Sequence, residues 1–184
     1  MPLARAWTHR SNVTRRWAGL PPELSPASKG VYTVSMGYLA DIEVLDKEGR
    51  PALLVEVKSK LGTSREWATS MRRNLAAHGS LPSSKFFLLA TPDQFYLWEG
   101  KTASIEPTAP DLGFDPSSIL EPYYEQARLR PGELAETSFE LIVGSWLSEL
   151  IHGHGKARLP DEVSSSVVGK ELIQAIRGGR LERQ

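Results

Sequence analysis

A chain of 184 residues, 40% hydrophobic and 24% charged, is long enough for one domain with a real core, or a core plus a small helical appendage, and too short for a second full domain. The absence of cysteine excludes disulfides and thiolate zinc sites, so any metal must be held by oxygen or histidine, and no apolar run approaches the ~20 residues of a membrane span. Net charge is zero, which argues against indiscriminate binding to nucleic acid, yet the charge is unevenly spread. Residues 1–22 carry Arg5, Arg10, Arg15 and Arg16 and no acid, residues 58–85 carry six bases against Glu66, and residues 93–136 hold nine acids and three bases. A locally basic face is one reading, and ordinary solvated side chains are the other. Met1 to Arg10 lack the apolar stretch of a signal peptide, which predicts a cytoplasmic protein.

Residues 1–30 are Pro-rich and weakly periodic and read as an N-terminal arm, with a short helix near 12–20 and a break at Pro21-Pro22. From Val31 the pattern becomes strand-like over 31–36 and 38–46, followed by a polar Lys47-Glu48-Gly49-Arg50 turn and a strand over 51–58. Ser64 is placed to cap a helix reaching His78, with an apolar ridge of Trp67, Met71 and Leu75 and a stop at Gly79. Two apolar strands are predicted over 85–90 and 94–98, around a Thr91-Pro92-Asp93 turn. Residues 100–116 read as loop. Helices are expected over 117–128, over 131–151 with Phe139, Ile142, Val143, Trp146, Leu147, Leu150 and Ile151 along one stripe, and over 164–177 ending at Gly178-Gly179. That stripe is read as packing on the sheet, with a partner surface as the alternative. The expected organisation is an arm (1–30), an α/β core (31–112) and a helical C-terminal extension packed on it (113–184).

An acid two residues before a lysine occurs twice, at Glu56-Val57-Lys58 and at Glu99-Gly100-Lys101, so the triplet is uninformative by itself. Context separates the two, since Glu99 runs into a turn glycine whereas Glu56 and Lys58 follow the apolar strand Ala52-Leu53-Leu54-Val55. If the hairpin closes symmetrically about Glu48-Gly49, cross-strand partners have numbers summing to 97 and Asp41 lies opposite Glu56. Opposed Cβ atoms are about 4.5–5.5 Å apart, close enough for two carboxylates to share a cation. Lys58 then projects on the same side as Glu56, while Ile42, Val44, Leu53, Val55 and Val57 turn to the core. Like charges opposed on a sheet call for a neutralising partner, and a hard divalent cation, magnesium or manganese, suits oxygen ligands. Asp41, Glu56 and the Val57 carbonyl are the candidate metal ligands, with Lys58 orienting or deprotonating a water or stabilising developing charge. The bland reading is a surface salt bridge worth at most ~1 kcal/mol.

Residues 38–60, Tyr-Leu-Ala-Asp-Ile-Glu-Val-Leu-Asp through Leu-Leu-Val-Glu-Val-Lys-Ser-Lys, resemble the core of the PD-(D/E)xK nuclease superfamily, particularly the N-terminal nuclease domain of type I restriction enzyme motor subunits. The likeness extends more loosely over 63–98, where a helix and two apolar strands follow in the expected order. It implies a restriction endonuclease-like α/β fold, a mixed central sheet flanked by helices, magnesium dependence and DNA cleavage, with catalytic Asp41, Glu56 and Lys58. Ala40 stands where many relatives have proline, and no helical Gln or Tyr follows the lysine strand. That departure motivates the alternative, a catalytically inactive module of the same fold that binds nucleic acid or a partner.

Lys60, Arg65, Arg72 and Arg73 are candidate phosphate contacts, since backbone contacts dominate affinity for DNA. Glu43 falls on the same predicted face as Glu56 and is read as solvated or as steering a ligand. His152 and His154, in a Gly-rich loop, are read as having no special role, and Trp67, Trp98 and Trp146 as core. No ATP-binding P-loop occurs, so any motor would be another chain. A homodimer, or a subunit of a larger restriction, defence or repair complex, is compatible with these features.

Overall fold

The computed structural model describes residues 40–78, 83–100, 106–154 and 157–183. The N-terminal arm, its short helix and the predicted strand 31–36 lie outside the described residues.

The hairpin forms as expected. Strand β1 (Ile42–Leu45) pairs antiparallel with β2 (Pro51–Val57) through Ile42↔Val55, Glu43↔Leu54 and Val44↔Leu53, and slips by one residue at Leu45↔Pro51. The turn is built by Asp46, whose Oδ1 accepts from the backbone of Glu48 and of Arg50, each at 2.9 Å. Gly49 supplies the left-handed step at φ 82° that a side chain resists. Helix α1 (Arg65–His78) follows, its first turn capped by Ser64 Oγ accepting from Trp67 N at 3.2 Å. It carries the chain over to β3 (Phe86–Ala90), parallel to β2, and β3 returns through β4 (Phe95–Glu99).

Beyond Glu99 come β5 (Leu112–Phe114), α2 (Ser117–Ala127), a single 3-10 turn at Pro131–Glu133, α3 (Glu136–His152), α4 (Asp161–Ser165), α5 (Val167–Ile176) and β6 (Arg180–Arg183). The result is an α/β fold with a six-stranded mixed sheet in the order β5-β4-β3-β2-β1-β6 and a helical C-terminal part. Among the described strands, β2 and β3 are the parallel pair and the other neighbours run antiparallel.

Alternation divides the strand residues between two cores. Ile42, Val44, Leu53, Val55, Val57, Leu88 and Leu97 face α2, α3 and α5, and the whole stripe from Phe139 to Ile151 is buried against them. That stripe is therefore core. Leu54, Phe87, Leu89, Tyr96 and Trp98 face α1 in a smaller cluster with Ala68 and Leu75. Central strands covered on both faces explain the nearly unbroken apolar runs of β2 and β3.

Several elements differ from the sequence expectation. The buried line of α1 is Ala68, Arg72 and Leu75, with Trp67 and Met71 only partly covered, so the ridge is rotated by about one position. The helix expected over 131–151 is interrupted at Leu134 and Ala135, both extended. The last one is divided by Ser166, whose Oγ caps α5 by accepting from Gly169 N at 3.0 Å. Strands β5 and β6 were not expected. β6 carries a single apolar residue, Leu181, among three charged ones, and a charged edge strand has no hydrophobic signature.

Candidate functional site

Strand directions gather one end of the sheet. β2 and β3 finish there, β1 and β4 begin there, and the last residue of β6, Arg183, pairs with Ile42 at the same end. Asp41 stands immediately before β1, and Glu56, Val57 and Lys58 close β2, so all four candidate residues meet at this end. Asp41 is half-buried, and its Oδ2 accepts from Val57 N at 2.7 Å, which continues the β1–β2 ladder through a side chain. Lys58 N donates to the Ala90 carbonyl at 2.9 Å, which fixes the other side of β2 against β3.

Glu56 is fully buried (0% exposed), and Lys58 Nζ lies 2.8 Å from its Oε1. The same ammonium donates to the Val57 carbonyl at 2.8 Å and to Glu136 Oε1 at 3.0 Å. Burial opposes the charge on Lys58, but hydrogen bonds to Glu56 and Glu136 and the negative charges of Glu56 and Asp41 outweigh it and raise its pKa above the ordinary lysine value. Lys58 is therefore an ammonium at neutral pH. A charge pair with one wholly buried member is a different object from the solvent-screened surface pair of the bland reading.

α3 supplies two residues that the sequence reading missed. Glu136, in its first turn, reaches Lys58. Glu140, one turn on, has its carboxyl pushed above the usual range by burial and then by the charge of Asp41, with Arg183 pulling the other way. Two acids four apart on one helix are visible in the sequence, but nothing local ties them to β2. Glu43 faces Glu182 across the β1–β6 pair, and its pKa is raised by burial first and by Glu182 second.

No protein family, curated protein or solved structure matches this chain. The site must therefore be read from its own chemistry. Two carboxylates and a backbone carbonyl are hard oxygen donors of the kind magnesium takes, so the donor set fits a divalent cation. Among the described residues no group of three or more His, Asp or Glu side chains is placed to hold a metal, so the carbonyl would be an obligatory part of such a site.

The four candidate phosphate contacts do not come together. Lys60 and Arg73 are exposed. Arg65 donates to the Pro110 carbonyl beside β5, four strand spacings from β1, or about 19 Å from Asp41 at ~4.8 Å per strand. Arg72 is a correction to the sequence expectation. It is 1% exposed, with its guanidinium 5.7 Å from the centre of the Trp98 ring, so it belongs to the core under α1 and presents no charge to a ligand. Burial lowers its pKa, with Asp111 acting against the shift.

The loop after Lys58 is held from the other side. Tyr96 Oη donates to the Thr63 carbonyl at 2.8 Å, and Asp93 Oδ2 accepts from Gly62 N at 2.7 Å. His152 and His154 are exposed and stack at 6.1 Å, with His152 Nδ1 2.7 Å from the Ser148 carbonyl. Trp98 and Trp146 are buried and Trp67 is half-buried. Among the described residues no helix is long and apolar enough to cross a membrane.

Proposed function

We propose that this chain is a magnesium- or manganese-dependent nuclease that hydrolyses DNA phosphodiester bonds in the cytoplasm. The observation that carries the reading is the convergence of Asp41, buried Glu56, the Val57 carbonyl and Lys58 at one end of the β1–β2 pair. Asp41, Glu56 and the carbonyl would hold the cation. When bound, the cation supplies a more acidic water and neutralises charge on the phosphate. Lys58 contributes a charged donor, suited to hold the attacking water or a phosphate oxygen as negative charge builds. Lys60, beside the site in sequence and exposed, is the phosphate contact of choice, with Arg73 further along α1.

A second reading is favoured by the position of Lys58. Its ammonium already rests on Glu56 and on the Val57 carbonyl, so the buried Glu56 carboxylate has a counter-charge without a metal, as in a module that keeps the fold and binds nucleic acid or a partner without cutting it.

Incubation with linear, circular and single-stranded DNA, with RNA as a parallel arm, in magnesium or manganese separates the two. The nuclease reading expects cleavage of DNA that disappears in both Asp41→Ala and Lys58→Ala. Cleavage that persists in those variants, or none by the wild type with either metal, overturns it.

A further inference from the structure

An ammonium has three protons, and Lys58 directs them to three acceptors on two elements: Glu56 Oε1 at 2.8 Å, the Val57 carbonyl at 2.8 Å and Glu136 Oε1 at 3.0 Å. The first two are the oxygens that the nuclease reading assigns to a cation. The third is not. We infer that Glu136 is a positioning residue, the anchor that keeps Lys58 at the site once Glu56 and Val57 take a divalent cation; the inference rests on the metal-dependent reading above.

Lys58 cannot keep its present place when those two oxygens are occupied. Two cations sharing the same pair of oxygens repel, and Glu56 is fully buried, where screening is weakest. Lys58 must then withdraw, and its third acceptor, the Glu136 carboxylate, is the one of its present contacts left to receive it. The Lys58 side chain is 23% exposed against 48% for Glu136, so the move leads outward from the buried pair toward the α3 terminus. Glu136 does not drift with the lysine, because Phe139, Ile142 and Val143, the next turns of its helix, are locked in the main core. The base of the Glu136 side chain is thus fixed on a separate element. Without that carboxylate, the displaced lysine would recover the freedom of a long flexible side chain, and its charge would no longer be aimed at the site.

The two states of the site depend differently on Glu136. In the state seen here Lys58 has two other acceptors, so loss of the Glu136 charge is felt little. With the cation in place Glu136 is its remaining carboxylate partner among these three contacts. Removing the Glu136 charge therefore weakens cation binding, and does so more while Lys58 is present than when it is not. An acid in the first turn of α3 that served only the helix dipole would act without regard to Lys58.

Calorimetry with manganese on the full chain tests this in a double-mutant cycle of wild type, Glu136→Gln, Lys58→Met and the double variant. The expected result is roughly fivefold weaker manganese binding in Glu136→Gln than in wild type, and a loss at least about twofold smaller between Lys58→Met and the double variant, where only the direct attraction of Glu136 for the cation is removed. Equal losses in both backgrounds, or unchanged binding in Glu136→Gln, overturn the role of Glu136 and leave the metal site standing. A wild type that binds no manganese removes the metal reading and this inference with it. Nuclear magnetic resonance supplies a second readout. On saturation with magnesium, the contact between the Lys58 ε-protons and the Glu136 γ-protons should persist while the Lys58 signals shift, and loss of that contact counts against the anchor.

Discussion

Substituting Lys58 by methionine removes one member of the pair with Glu56 and keeps the length of the side chain. Glu56 is 0% exposed, so its charge is left in the interior without the ammonium 2.8 Å away. Breaking a fully buried ion pair costs about 3–5 kcal/mol, and the 23% exposure of the Lys58 side chain brings this to roughly 2–4 kcal/mol at pH 7. With an m-value of ~2 kcal/mol per molar urea, the unfolding midpoint falls by about 1–2 M at unchanged slope. Adding Glu56→Gln removes the buried charge while keeping the shape, so the double variant should recover more than half of the loss. Urea titrations followed by circular dichroism measure both quantities. A Lys58→Met protein within ~0.5 kcal/mol of wild type, or a double variant no more stable than the single one, refutes the view that Lys58 neutralises a buried carboxylate. The pH dependence follows from linkage. The folded-state pKa of Lys58 is raised, so its contribution is fully present below the unfolded lysine pKa of ~10.4 and is lost as pH rises through the higher folded value. The gap between wild type and Lys58→Met should stay constant from neutral pH to about 10 and close above it.

Gly169→Ala should destabilise by about 1–3 kcal/mol, against the ~1 kcal/mol gain expected for an exposed helical glycine, because a Cβ there collides with the Val163 carbonyl where α4 turns into α5. A melting temperature at or above that of wild type would contradict the close α4–α5 junction. Alkaline titration tests the tyrosines. Burial raises the pKa of Tyr96, Tyr123 and Tyr124, reinforced at Tyr123 by the carboxylate of Glu149 and at Tyr124 by the charge of Asp93. A raised folded pKa means that the unfolded chain loses these protons first, so stability should fall once pH exceeds the unfolded tyrosine value of ~10. Tyrosinate absorbance should show these three groups lagging, and full ionisation near pH 10 in the folded protein would refute their burial.

The sequence by itself determined what depends on neighbours along the chain. The pairing of β1 with β2 follows from two period-2 segments on either side of a four-residue polar turn, which gives partner numbers summing to 97 from Ile42 to Val44, before the slip at Leu45, and sends Ile42, Val44, Leu53, Val55 and Val57 to one face. The order of strands and helix from β1 to β4, and the burial of the α3 stripe, were legible for the same reason, since burying an apolar face dictates its period. Tertiary structure alone decided the rest. β6 is extended because the backbone of β1 offers it a ladder, and its charged side chains contribute no apolar pattern that would announce it. Arg72 looks like a solvent-facing arginine until the Trp98 ring, brought in from β4, covers it. Glu136 stands 78 residues from Lys58, and only the packing of α3 across the sheet closes that distance to 3.0 Å. A contact made between distant segments through a side chain exposed on its own helix leaves no periodic trace in either segment, because the energy that places it belongs to the core beneath.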